Sequence, residues 1–152
     1  MIFESIARPM LVLHAIVGFT AVFSTTHHAA YSLLSALGRQ NQRALRRFGW
    51  IAPSALIVQV LLGLALYPTY RVRVRAADFE HNAPFFTQLF DFKEHLAALS
   101  LALVIAAALA ARIKELPSKE ARWSIAALSC TGALFVWTAA VLGLCVTAKH
   151  PV

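Results

Sequence analysis

Charged residues are scarce in this chain: they make up 14% of its 152 residues, whereas 59% are hydrophobic and the mean hydropathy is +0.66. A soluble domain of this size carries roughly 25% charged residues. There is too little polar surface here to cover a water-facing protein, so we expect its solvent to be lipid. The length suits one compact unit, and we predict a single transmembrane domain over residues 1–152 without a separate soluble domain.

The usual signatures of soluble enzymes are also missing. The sequence contains no CxxC pair, no glycine-rich loop for phosphate and no combination of a nucleophile with a base. Its two cysteines, Cys130 and Cys145, fall in one apolar run, where fifteen residues of helix would separate them by about 22 Å. They cannot form a disulfide with each other, and we interpret them as small apolar residues within a helix.

Positive charge is plentiful: the formal net charge is +7 and the pI is near 10.1. This balance suggests a nucleic-acid partner until the charges are located. The Lys and Arg residues lie in short segments between apolar runs, and no basic face with interleaved aromatics is present. We therefore exclude nucleic acid as a partner and assign the basic segments to membrane topology.

Four apolar runs are long enough to cross a bilayer core, which takes about 20 residues of helix. We predict spans at about 9–38, 50–70, 92–112 and 123–148, with Pro53 in the first turn of the second span. The third and fourth runs are rich in Ala and Leu and do not alternate, so strands are excluded. The predicted fold is all-α, an integral membrane four-helix bundle with up-down-up-down topology.

The distribution of basic residues predicts the orientation. The two segments that follow the first and third spans hold eight of the 14 basic residues, and the other side holds six together with most of the acidic residues. The positive-inside rule then places both termini and the 71–91 loop outside, in the periplasm of a bacterial-type inner membrane. Glu4 and the lack of a small-x-small cleavage site argue against a cleavable signal peptide.

Histidine is the unusual residue within the spans, where ionisable side chains are costly and usually functional. Fourteen residues separate His14 from His28, which brings both within about 40° of one helix face, whereas His27 points almost the opposite way. Small residues lie between the two on that face: Gly18, Ala21 and Thr25. Such a stripe leaves room for a flat cofactor, although it also allows close helix packing.

A histidine of the third span matches His14 in depth. With each span centred between its flanking charges, His14 lies about 13 Å and His95 about 11 Å from mid-bilayer, on the same side. Small residues follow His95 on its face: Ala98, Ala102 and Ala106. Two imidazoles on separate helices, each above small residues, predict a haem held edge-on with His14 and His95 as axial ligands.

The spacing of His14 and His28 resembles that of transmembrane b-type cytochromes, which stack two haems along one helix, and the four-helix scale resembles small cytochrome b561-type proteins. The resemblance covers the first span and part of the third. It implies haem b held by histidine pairs, with electrons passing to or from a quinone or a redox partner protein. His28 has no histidine partner at its depth, where Ser54 and Cys130 are nearest, so a second haem would be absent, five-coordinate or completed across a homodimer.

Arginine alternates with valine after the second span, which predicts a short extended or interface-lying segment with Arg71, Arg73 and Arg75 on one side. These arginines would pair with haem propionates, or alternatively meet lipid phosphate. Asp91 is the predicted N-cap of the third span, with Glu94 closing a capping box. For Gln59, in the middle of the second span, we predict a hydrogen bond between helices, with contact to a quinone as the alternative.

The leading hypothesis is a membrane b-type cytochrome that transfers electrons, and whether it is an enzyme stays open. One alternative is a structural or assembly subunit of a larger membrane complex, whose histidines only bond between helices. Another is a membrane enzyme with a non-haem metal held by His27, His28 and outer carboxylates, which the lack of further clustered histidines disfavours. His81 and His150 lie in or beside polar segments and are interpreted as solvated.

Overall fold

The chain folds into four long antiparallel helices. The computed structural model describes residues 6–39, 41–113 and 118–149. Helix α1 spans Ala7–Ala36 and α2 spans Gln42–Tyr70; a π-helical segment (Arg71–Phe79) and the single turn α3 (Glu80–Asn82) then continue α2. Helix α4 spans Pro84–Ala110 and α5 spans Lys119–Lys149. Within the described residues every regular element is helical, which confirms the predicted all-α class.

Side-chain contacts fix the topology. Helix α1 packs on α2 and α5, and α4 packs on the same two helices, so α1 and α4 occupy opposite corners. Along α1 and α2, His14 meets Gln59 whereas His28 approaches Gly49, so the two helices run antiparallel. The predicted up-down-up-down bundle is therefore confirmed.

The four helices are long and apolar enough to cross a membrane, with α2 and its continuation forming one helix over Gln42–Asn82. The distribution of side chains agrees with that composition. Large apolar side chains cover the outer surface, among them Phe19 at 73% exposure and Leu144 at 65%. Several fully buried side chains are polar, including Thr25, His28 and Ser129. A water-soluble bundle would show the reverse arrangement.

The second and third spans begin about eight residues before their predicted starts. Helix α2 begins at Gln42 because the Asn41 side chain accepts a hydrogen bond from the Ala44 amide at 3.2 Å and caps the basic turn. Helix α4 begins at Pro84. Asp91 therefore lies inside α4, and its predicted role as N-cap was wrong: the N-cap is Ala83, which has no capping side-chain bond.

The segment at Arg71, Arg73 and Arg75 is π-helical, so the extended alternative of the prediction was also wrong. Its Val74 and Phe79 are fully buried and pack with Tyr70 and Phe90, and this packing continues the helix past the apolar run. Helical geometry places Arg73 on the side opposite Arg71 and Arg75, which lie four residues apart on one face, so the three arginines do not share one side as predicted. Arg71 and Arg73 are exposed, whereas Arg75 bonds to Glu80 at 3.1 Å and to Asp91 at 3.0 Å.

The bundle has two unlike ends. We call the end at the turn between α3 and α4 the hairpin end; α1 begins there and α5 finishes there. The opposite end, where α1 leads into α2 and α4 leads towards α5, is called the basic end because its arginines are concentrated at 39–47, 112 and 122.

Candidate functional site

The predicted face of α1 points into the bundle. Ala21, Thr25 and His28 are buried, and His14 and Gly18 are partly buried. His27 lies on the opposite side and is half-buried; its Nδ1 bonds to the Phe23 carbonyl at 2.8 Å and its ring stacks on Phe48. Helical periodicity therefore separated the inward histidines from the outward one correctly.

His28 is the more deeply placed of the two inward histidines, with 1% of its surface exposed. Its Nδ1 lies 3.4 Å from the Ser129 hydroxyl of α5, which is 3.0 Å from the Ser32 hydroxyl of α1. The other ring nitrogen, Nε2, is buried without a hydrogen-bond partner among the described residues. A buried polar atom without a partner costs about 1–3 kcal/mol, so Nε2 is a candidate for contact with a ligand.

Helix α2 faces that open nitrogen with a glycine. A Cβ atom at Gly49 would lie 3.6 Å from His28 Nε2 and 4.0 Å from the Ala108 Cβ of α4. Three helices therefore meet around Nε2, and the glycine lets α1 and α2 approach closely at this level.

Arg112, in the turn that follows α4, reaches the same glycine from the other side. Its Nη2 donates to the Gly49 carbonyl at 2.9 Å, and its guanidinium stacks on Trp50 at 3.5 Å from the ring centroid. In a regular helix, the Gly49 carbonyl would accept from the backbone N–H four residues later, at position 53. Position 53 is proline and has no N–H to donate, so Arg112 supplies the donor that the helix lacks. Pro53 sits well inside α2, not in its first turn as predicted.

His14 occupies a second layer, nearer the hairpin end. Its Nε2 accepts from the Gln59 side-chain amide at 3.0 Å, which confirms the predicted bond between helices. The remaining buried polar atoms of the pair, His14 Nδ1 and Gln59 Oε1, have no partner among the described residues. Because Nε2 accepts, Nδ1 of a neutral His14 carries the proton and is an N–H donor without an acceptor, whereas His28 leaves Nε2 without a partner.

Each polar side chain of this second layer packs against a glycine of a neighbouring helix. A Cβ at Gly63 would lie 3.4 Å from His14, and a Cβ at Gly18 would lie 3.1 Å from Gln59. On the far side, a Cβ at Gly143 would lie 3.7 Å from the stem of Lys93, whose ammonium stands 4.3 Å from the Phe90 ring centroid. We call His14, Gln59 and Lys93 with these glycines the His14 layer. His28, Ser32, Gly49, Arg112 and Ser129 form the His28 layer.

The structure does not bring His14 and His95 together. His95 is exposed, and its Nδ1 bonds to the Asp91 carbonyl one turn earlier in α4 at 2.6 Å. The inward position at this level of α4 belongs to Lys93. The two rings of the predicted His14–His95 haem pair are therefore not juxtaposed, and haem binding by the pair stays a prediction.

Other predicted site residues lie elsewhere. Arg71, Arg73 and Arg75 are at the hairpin end, far along the bundle from His28, and His81 is exposed there. His150 lies outside the described residues. Within 6–39, 41–113 and 118–149, no group of three or more His, Cys, Asp or Glu side chains could hold a metal ion. A haem iron needs fewer protein ligands, so this finding bears on non-haem metal sites.

Sequence reasoning missed Arg112, Ser129, Gly49 and Lys93 as neighbours of the histidines. A signal for one of them was available, because Gly49 and Gly63 are 14 residues apart, the same spacing as His14 and His28. Two helices carrying equal spacings can meet twice when they run antiparallel, which is what α1 and α2 do.

Comparisons with family models, with curated proteins and with solved structures gave no match. The resemblance to b-type cytochromes therefore stays a prediction that rests on the histidine spacing.

Proposed function

We propose that this protein is a membrane electron carrier that binds haem b, with His28 as the principal axial ligand. One observation carries the proposal: a fully buried imidazole has its Nδ1 beside a serine hydroxyl, while its Nε2 has no partner among the described residues. Histidines that bind metals usually donate the other ring N–H to an oxygen acceptor, which fixes the ring and leaves one nitrogen for the metal. His14 has the opposite arrangement.

The donor atoms of the residues around His28 are of the kinds that bind haem. Nε2 of His28 would supply one nitrogen ligand, Gly49 leaves the facing side without a side chain, and the Arg112 guanidinium would offer a counter-charge for a propionate. Helices α1 and α2 are in close contact at Gly49, so binding would require them to move apart there. No second histidine faces Nε2 among the described residues, which favours five-coordination or completion across a homodimer.

When bound, such a haem would supply one-electron chemistry within the membrane. The chain itself would orient the ligand through Ser129 and Ser32 and exclude water by burying the ring completely. A quinone or a redox partner protein would be the exchange partner. The excess of arginine at the basic end supports an orientation with both termini outside.

An optical spectrum tests the proposal. Protein purified in detergent from haem-replete cells should show a Soret band, with sharp α and β bands after reduction. His28→Ala should remove the absorbance, and His27→Ala is the matched control because its ring is next to His28 in α1 but lies on the outward side, against Phe48. A colourless wild-type protein, or equal loss in both variants, would contradict the proposal.

The second candidate is a structural or assembly subunit without a cofactor. It is favoured by the polar side chains that already bond between helices: His14 to Gln59, Ser32 to Ser129, and Trp137 to Thr26 at 3.0 Å. Such bonds stabilise membrane bundles by about 0.6 kcal/mol each. This function predicts a colourless protein that co-purifies with other membrane subunits, and that His28→Ala lowers stability without changing any spectrum.

A further inference from the structure

The arginines at the two ends of the bundle differ in their acidic partners. At the hairpin end, Arg75 bonds to both Glu80 and Asp91. At the basic end, the described residues contain arginines at 39, 43, 46, 47, 112 and 122 and a lysine at 119, against the single acidic residue Glu120. No ion pair joins these basic side chains to an acidic one within the described residues. The basic end therefore has a charge excess that the described part of the chain does not neutralise.

Part of that excess is arranged around one exposed tryptophan. Arg43, Arg47 and Trp50 follow one another at helical spacing on the first turns of α2, and all three are exposed. From α4, the Arg112 guanidinium covers the Trp50 ring at 3.5 Å. Among the described residues its Nε is buried without a hydrogen-bond partner, and its Nη2 donates to the Gly49 carbonyl. One cation thus covers the Trp50 ring, and two others lie about one and two turns before it on the same face of α2, where the apolar part of this helix begins.

We infer that the surface formed by Arg43, Arg47, Trp50 and Arg112 binds the phosphate of an anionic phospholipid. Tryptophan concentrates at the level of lipid headgroups, where phosphates are also found. Guanidinium groups bind phosphate through paired charge-assisted hydrogen bonds, and basic residues at a membrane surface attract anionic lipid. The apolar side chains Ile57, Leu61 and Leu64 are exposed further along α2 and offer a surface for the acyl chains. This inference does not depend on haem binding.

The test uses the full-length protein in vesicles of equal parts phosphatidylglycerol and phosphatidylcholine. After mild detergent extraction, native mass spectrometry counts the lipids that remain bound. Wild type should retain phosphatidylglycerol over phosphatidylcholine. The double variant R43Q/R47Q should reduce that preference about 25-fold, since an arginine that contacts a bound anionic lipid contributes roughly a fivefold preference. Both side chains are exposed and support no described packing, so the fold should persist.

The matched control is R8Q/R71Q, which removes the same charge from exposed positions at the hairpin end. It should leave the lipid preference unchanged. Equal retention of the two lipids by wild type would overturn the inference, and so would an equal loss of preference in both double variants, because the effect would then follow net charge alone. Circular dichroism of each variant confirms that helix content is retained.

Discussion

The His14 layer and the His28 layer are each built around a histidine on the same face of α1, yet a different ring nitrogen is left without a partner in each. In the His14 layer, Gln59 occupies Nε2, and the α4 cation is a lysine above a phenylalanine ring. In the His28 layer, serine lies beside Nδ1, and the α4 cation is an arginine held on a backbone carbonyl. The comparison teaches that cross-helix neighbours, more than the histidine or its depth, decide whether a ring nitrogen is left to bind a metal.

The layers also differ in how tightly α4 and α5 are packed beside them, and two glycine substitutions should show this most strongly. A Cβ at Gly132, three residues beyond Ser129, would lie 2.9 Å from the Val104 Cγ2, so Gly132→Ala should destabilise by about 1–3 kcal/mol. Gly143→Ala, beside Lys93, meets only an ordinary contact at 3.7 Å and should be neutral or stabilising. Unfolding in mixed micelles measures both. Equal losses would mean that the layers are packed alike.

How much of each layer the sequence predicts depends on whether a local pattern or a contact between helices determines it. The inward face of α1 depends on helical periodicity alone, so His14 and His28 could be assigned to one face without coordinates. The Arg112–Gly49 bond depends on how α4 meets a helix that carries proline, and no local pattern shows it. The Arg/Val alternation at 71–75 was misleading because burial of Val74 and Phe79 outweighs a local period of two.

A double-mutant cycle tests whether the Arg112 contact in the His28 layer depends on Pro53. Arg112→Leu should cost about 1–3 kcal/mol because it leaves the Gly49 carbonyl without a donor. In a Pro53→Ala background, position 53 regains an N–H for that carbonyl, so the same substitution should cost less than half as much. The free energy of unfolding of the four proteins gives the coupling. Additive costs would show that Arg112 acts through Trp50 and not through the carbonyl.

The smallest effect is expected in the His14 layer. Gln59→Leu removes one partly buried bond and should destabilise by about 0.6 kcal/mol, with little further loss when His14→Leu is added. The same unfolding assay applies, and Thr138→Val is a control whose hydroxyl bonds only to its own helix at Leu134. A loss above about 2 kcal/mol for Gln59→Leu would mean that this layer is as tightly organised as the other.

The assignment of the ligand to His28 is tested most directly by haem content in reciprocal variants. Haem per chain is measured by the pyridine haemochrome method in wild type, His14→Ala and His28→Ala, each purified from haem-replete cells. The account predicts haem in wild type and in His14→Ala, and its loss in His28→Ala. Loss in His14→Ala with retention in His28→Ala would contradict the assignment and return the site to the His14 layer.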